Sequence, residues 1–156
     1  MKKLIILFVF VVIFCGFNSS FAQLSETTMK DIIETVQDKA KSLENIEDME
    51  IVNITIDLLV GTRGEKFIYR YLDNNFDYKI LSIGDRRISK LNIDVRKKVG
   101  EKWIVVDKLT GENAQMDIYP DSRAFYEFTI SIAEFKEDYT AGHFAIFIYH
   151  KDPLKK

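Results

Sequence analysis

Val52-Asn53-Ile54-Thr55-Ile56-Asp57-Leu58-Leu59-Val60 is the stretch that decides the fold class. Apolar side chains at positions 52, 54, 56, 58 and 60 alternate with Asn53, Thr55 and Asp57. A period of two puts the two sets on opposite faces of an extended chain, the mark of a half-buried β-strand. Gly61 to Gly64 ends the run as a turn, and the pattern then repeats. Phe67, Tyr69 and Tyr71 alternate with Lys66 and Arg70 before the turn cluster Asp73-Asn74-Asn75. Tyr78, Ile80 and Ser82 lead to Gly84-Asp85, and Leu91, Ile93 and Val95 alternate with Lys90, Asn92, Asp94 and Arg96. Gly100 precedes Trp103 to Val106, and Thr110-Gly111-Glu112-Asn113 reads as a hairpin turn before Ala114, Met116 and Ile118. Tyr126, Phe128, Ile130 and Ile132 form another strand, and Gly142 opens the last, with Phe144, Ile146 and Ile148. About eight short strands, with no strand-helix alternation, predict a mainly β protein. The architecture expected is an antiparallel β-sandwich, jelly-roll-like, although an immunoglobulin-like order shares this pattern.

Before Asp48 the period changes. Met29, Ile32, Ile33, Val36, Ala40, Leu43 and Ile46 fall three or four residues apart, which predicts one amphipathic helix over residues 25–47. Thr28 followed by Asp31 fits a cap, with Ser25 as the alternative. Lys39 and Lys41 lie toward the C-terminal half, where the helix dipole favours cations. The polar face carries both signs of charge, so a helix packed on its own sheet is preferred to a membrane-surface or partner helix.

Residues 1–22 read as a cleaved export signal. Lys2 and Lys3 form a basic start, Leu4 to Cys15 is an unbroken apolar run, and Ser20-Phe21-Ala22 offers small residues for a signal peptidase. The run falls short of the roughly 20 residues a bilayer span needs. A lipoprotein anchor needs a small residue before its cysteine, and Phe14 precedes Cys15, so lipidation there is not expected. Cys15 is the only cysteine, so cleavage also removes disulfides, thiol nucleophiles and cysteine-based zinc sites. The organisation expected is signal 1–22, helix 23–48, sandwich 49–150 and tail 151–156. Its place is secreted or periplasmic, with no membrane span after cleavage.

A chain of 156 residues is one domain's worth. With 22 Lys+Arg against 24 Asp+Glu the net charge is −2, and losing Lys2 and Lys3 takes it to −4. Such a balance lacks the basic footprint of a nucleic-acid binder. Seven glycines, two prolines and 13% aromatics exclude disorder and collagen-like repeats.

Within residues 76–149, Tyr78-Lys79-Ile80-Leu81-Ser82-Ile83-Gly84-Asp85 is followed by Ile88 and then Leu91-Asn92-Ile93-Asp94-Val95. Thr110-Gly111 makes a turn, Tyr126-Glu127-Phe128-Thr129-Ile130 comes next, and Gly142-His143-Phe144 opens the final strand. This order resembles the pre-peptidase C-terminal domain, a jelly-roll β-sandwich of secreted bacterial proteins. The resemblance implies a sandwich fold and an extracytoplasmic accessory or binding role, without proteolysis. Where that family often carries aspartates flanking the leucine, this chain has Lys90 and Asn92. A lysine there repels a cation, which argues against a calcium role at those positions.

The metalloprotease, nucleophile-elbow, P-loop and dinucleotide motifs are all absent from the sequence. His143 and His150 are seven apart on one strand, so they take opposite faces and share no metal; each reads as a surface or edge residue. Asp73, Asn75 and Asp77 supply the first three ligand positions of a calcium loop, but Tyr78 and Gly84 stand where an EF-hand needs Gly and Glu. An Asx-rich turn is preferred there, with an improvised calcium site as the alternative and no other cofactor. Glu44, Glu47, Asp48 and Glu50 read as a solvated acidic stretch, and Glu127 and Glu134 give no usable spacing for a catalytic pair. Among aromatics that could stack a sugar, Tyr69, Tyr71 and Tyr126 read as core, whereas Tyr119 beside Pro120 reads as exposed. Arg86-Arg87, and Arg96-Lys97-Lys98 with Lys102, could meet an acidic polysaccharide or serve as edge charges against aggregation. The candidate ligand residues are Arg86, Arg87, Trp103 and Tyr119; the candidate metal residues are Asp73, Asn75 and Asp77. The function expected is an exported non-catalytic module that binds a glycan, ligand or protein partner. The alternatives are a small extracytoplasmic hydrolase with a carboxylate pair, or a structural or inhibitory envelope protein.

Overall fold

A computed structural model of the chain describes residues 29–154. The expected export signal, Cys15 and the caps at Ser25 and Thr28 lie outside the described residues. Among the described residues, one helix, α1 (29–45), precedes eight strands. These are β1 (Met49–Val60), β2 (Glu65–Leu72), β3 (Tyr78–Gly84), β4 (Ile88–Val99), β5 (Lys102–Gly111), β6 (Gln115–Ile118), β7 (Ala124–Phe135) and β8 (Ala141–Lys151). They form two antiparallel four-stranded sheets, ordered β1-β8-β3-β6 and β2-β7-β4-β5. β1 pairs with β8, β2 with β7, β3 with β6 and β4 with β5, so the chain is one long nested ribbon wrapped into two layers. Only the β4–β5 hairpin stays within one sheet; each other connection crosses between layers. That nesting is the jelly-roll order, and it removes the immunoglobulin-like alternative.

Between the sheets, the inward set of each strand packs into one core. Ile80, Phe144, Ile146 and Ile148 from the first sheet share this core with Leu91, Ile93, Val95, Tyr126, Phe128 and Ile130 from the second. A second core lies outside the first sheet. Ile32, Val36 and Leu43 of α1 pack there on Leu81, Ile83, Ala145, Phe147 and Tyr149. This is the helical stripe read from the sequence, without its ends: Met29 is 37% exposed and Ile46 78%. Burial of each such side chain is worth about 1.5–3 kcal/mol. Beneath the helix, burial pushes the Tyr149 phenol up to about 12.

β8 is therefore covered on both faces, which corrects the reading of its two histidines as surface or edge residues. His143 and His150 are both buried, on opposite faces of β8. His150 stacks on Phe76 with ring centroids 4.1 Å apart and meets Tyr78 edge-on at 5.4 Å. His143 belongs to an ionic lock. Asp85 Oδ2 accepts from Arg87 Nε at 3.0 Å, Arg87 Nη2 at 2.6 Å and the His143 backbone N–H at 2.8 Å. Arg87 Nη2 also lies 3.0 Å from His143 Nδ1. Burial first, and then the Arg87 charge, lower the His143 pKa. Gly142 lets the two segments close: a Cβ there would stand 2.5 Å from Ile88 Cγ1 and 3.3 Å from Asp85 Oδ1. The β3–β4 turn is thereby pinned to the start of β8.

Along the open side of the sandwich, the polar set of β1 faces β2. Lys66 Nζ lies 2.8 Å from Asp57 Oδ2, and Arg70 donates to Asn53 Oδ1. These pairs explain why Lys66 and Arg70 point inward, and with them Ile68 and Leu72. The other set of β2, Phe67, Tyr69 and Tyr71, is consequently on the outside.

Candidate functional site

That outward set corrects the placement of two tyrosines. Tyr69 and Tyr71 are 48% and 54% exposed, whereas Tyr126 is buried as expected. The outer face of the second sheet is an aromatic platform, assembled by register. Tyr71 stands opposite Phe125 on β7, with ring centroids 5.2 Å apart, and Lys98 of β4 stands opposite Trp103 of β5. In the next row, Tyr69 stands opposite Glu127, Glu127 opposite Arg96 and Arg96 opposite Val105. In the third, Phe67 faces Thr129, Thr129 faces Asp94 and Asp94 faces Lys108. In the fourth, Glu65, Ser131, Asn92 and Thr110 run across the sheet.

β2 and β5 are the two edges of this sheet, with two strands of about 4.8 Å spacing between them. Even so, the Tyr69 and Trp103 rings lie 5.9 Å apart and tilted by 47°. Each ring leans inward from its edge, and the two roof the row that holds Glu127. Glu127 is only 5% exposed beneath them. Its carboxylate accepts from the Tyr69 hydroxyl at 3.0 Å and from Arg96 Nη1 at 3.4 Å. The bond to that carboxylate raises the Tyr69 pKa, since ionising the phenol would lose a donor and bring two anions together. Lys98 Nζ lies 6.0 Å from the centre of the Trp103 ring.

Next to this row is an unanswered polar atom. Thr129 Oγ1 is buried and has no hydrogen-bond partner among the described residues. Its neighbours in the fourth row are satisfied: Asn92 Nδ2 donates to Ser131 Oγ at 3.2 Å, and Thr110 Oγ1 donates to Asn92 Oδ1 at 2.6 Å. The two carboxylates at the middle of the face are both held by cations, Glu127 by Arg96 and Asp94 by Lys108. The face thus offers flat apolar plates, hydrogen-bonding groups between them and a firmly oriented acid.

Of the ligand residues read from the sequence, Trp103 belongs to this face and the others do not. Arg87 is spent on Asp85, with its side chain 13% exposed, while Arg86 beside it is exposed on the turn. Tyr119 borders a separate hollow of about 240 Å³ with Lys79 and Asp117, which pair with each other at 2.7 Å. Asp73 pairs with Arg123 at 2.5 Å and accepts the Asn75 N–H at 3.0 Å, forming an Asx turn. Asn75 and Asp77 border a larger hollow of about 370 Å³ with Phe76 and His150. Among the described residues, no group of three His, Asp or Glu side chains could hold a metal ion. Lys97 turns away from Arg96 and Lys98 to bind Asp121 and Ser122. Sequence reasoning weighed Tyr69 and Tyr71 for stacking but read them as core, took Arg96 and Glu127 separately and not as a pair, and passed over Phe67, Phe125 and Thr129. One signal was available: the alternate set of β2 contains two cations, Lys66 and Arg70.

The sequence matches no family model and no curated protein. Among solved structures, the chain is similar to a Yersinia pseudotuberculosis-derived mitogen at 11% identity and a TM-score of 0.48, covering 64% of this chain and 84% of that one. It is similar to PirA at 12% identity and a TM-score of 0.41, covering 67% and 99%. A third is the carbohydrate-binding module CBM36 in complex with calcium and xylotriose, at 12% identity and a TM-score of 0.31, covering 66% and 94%. These scores are below 0.5, so function is read from the surface itself.

Proposed function

We propose that this protein is an exported, non-catalytic module that binds a glycan on the outer face of its second sheet. The observation that carries this reading is a set of five exposed aromatics around a buried polar row. Phe67, Tyr69, Tyr71, Trp103 and Phe125 are each between 36% and 54% exposed on one face. A sugar ring has apolar C–H faces that pack on aromatic plates and equatorial hydroxyls that need hydrogen bonds. The solvent-facing donors of Arg96 supply such partners between the plates. The basic start, apolar run and small-residue site of residues 1–22 support export. The accessory role implied by the pre-peptidase resemblance agrees with it.

Affinity electrophoresis through gels containing single soluble polysaccharides tests the reading. At least one polymer should retard the protein, and Tyr69→Ala and Trp103→Ala should each abolish the retardation while melting stays within a few degrees. Tyr119→Ala should leave it unchanged. Retardation that survives both platform variants, or migration unaffected by every polymer, overturns the reading.

A further inference from the structure

The charges on this face are not evenly spread. Asp94 and Glu65 lie in the third and fourth rows, and Asp94 is taken by Lys108 at 2.5 Å. At the aromatic end stand Arg96 and Lys98, two residues apart on β4 and on the same face. On the strands there, the acid between the aromatic plates is Glu127, buried and already bound by the Tyr69 hydroxyl and Arg96. Of the nearby loop acids, Asp121 is engaged with Lys97 and Asp73 with Arg123, and in the β4–β5 turn the exposed Glu101 is matched in charge by Lys102 next to it. Among the described residues no carboxylate pairs with Lys98, whose ammonium instead lies by the Trp103 ring. The aromatic end therefore carries surplus positive charge on a chain whose net charge is −2.

We infer that the glycan is an acidic polysaccharide bearing carboxylates, with Lys98 and Arg96 meeting its charge beside the Trp103 plate. This rests on the sugar-stacking reading. A ring stacked at Trp103 brings a ring carboxylate within reach of Lys98, and the neighbouring guanidinium can take a second oxygen. Neutral polymers of the same backbone keep the stacking and lose the ionic contribution.

The test uses matched pairs of polymers: polygalacturonate against its carboxyl-reduced form, and carboxymethylcellulose against hydroxyethylcellulose. Affinities are measured by titration calorimetry at low and moderate salt. At least one carboxylated polymer should bind more tightly than its neutral partner, with the preference shrinking as salt rises. Lys98→Gln should weaken that binding by about threefold to fivefold, the scale of one exposed ion pair, and leave the neutral polymer unaffected. Trp103→Ala should weaken both. If neutral and acidic partners bind alike, the acidic inference falls and sugar stacking stands. If neither polymer in any pair binds, the acidic inference falls, and the gel panel decides the stacking reading separately. A single-stranded DNA that binds as tightly as the best carboxylated polymer also overturns it, because the response would then be to charge without sugar.

Discussion

Replacing Asp85 by Asn tests whether the Asp85–Arg87–His143 lock is structural. Asn keeps the size and removes the charge. The Asp85 side chain is fully buried, and three donors converge on Oδ2 from Arg87 Nε, Arg87 Nη2 and the His143 backbone. An amide presents at most one acceptor oxygen, so either these donors or the Arg87 N–H, now 2.9 Å from Oδ1, must face an NH₂ group. Removing one partner of a buried pair costs about 3–5 kcal/mol, mostly by leaving the other charge uncompensated. The Arg87 side chain retains 13% exposure and can turn partly to solvent, which favours the lower end, about 3 kcal/mol. At roughly 4 °C per kcal/mol for a domain of this size, the melting midpoint should fall by about 12 °C. Urea denaturation followed by far-UV circular dichroism should show the same loss at an unchanged slope. Arg86→Gln on the exposed neighbour is the control and should shift stability by no more than about 0.5 kcal/mol. An Asp85→Asn protein melting within 2 °C of its parent, on the order of 0.5 kcal/mol, would refute the lock. Its glycan binding should be intact below the new midpoint, since the lock is no part of the aromatic face.

His143 gives the stability a pH dependence of known sign. Its folded pKa is lowered, so its contribution is fully present above the ordinary histidine value of 6.5 and is lost as pH falls below it. The urea midpoint should drop between pH 7.5 and 5.5, and the drop should be smaller in His143→Asn; equal drops would discount the mechanism. Leu43→Ala removes a fully buried side chain between α1 and the first sheet and should cost about 3 kcal/mol, against under 0.5 for Ile46→Ala at 78% exposure. Similar costs by denaturation would mean the helix does not pack as described. Gly142→Ala places a methyl against Ile88 and should cost about 1–3 kcal/mol, with Ile88→Val in the same chain recovering part of it. Thr129→Val removes a buried hydroxyl with no hydrogen-bond partner among the described residues and should leave stability in urea unchanged or slightly raised.

The sequence by itself determined the local periods. The runs from Val52 and from Leu91 alternate because a strand has two faces, and Ile32, Val36 and Leu43 recur because a helix has one stripe. Both are short-range geometry, so eight strands and one packed helix were legible. Alternation is symmetric between faces, however, and does not say which one is the core. In β2 the more apolar set, Phe67, Tyr69 and Tyr71, is on the outside, because Lys66 and Arg70 find Asp57 and Asn53 across the sandwich edge. Only sheet register brings Tyr69 to Glu127, Glu127 to Arg96 and Trp103 back over them, from four strands spread across the chain. The same holds for Arg87: its neighbour Arg86 is exposed, but Arg87 is drawn inward by a buried carboxylate and by a strand that arrives 56 residues later. Which side chains were surface, core or site was decided by pairings between distant segments, and those exist only once the nested ribbon has closed.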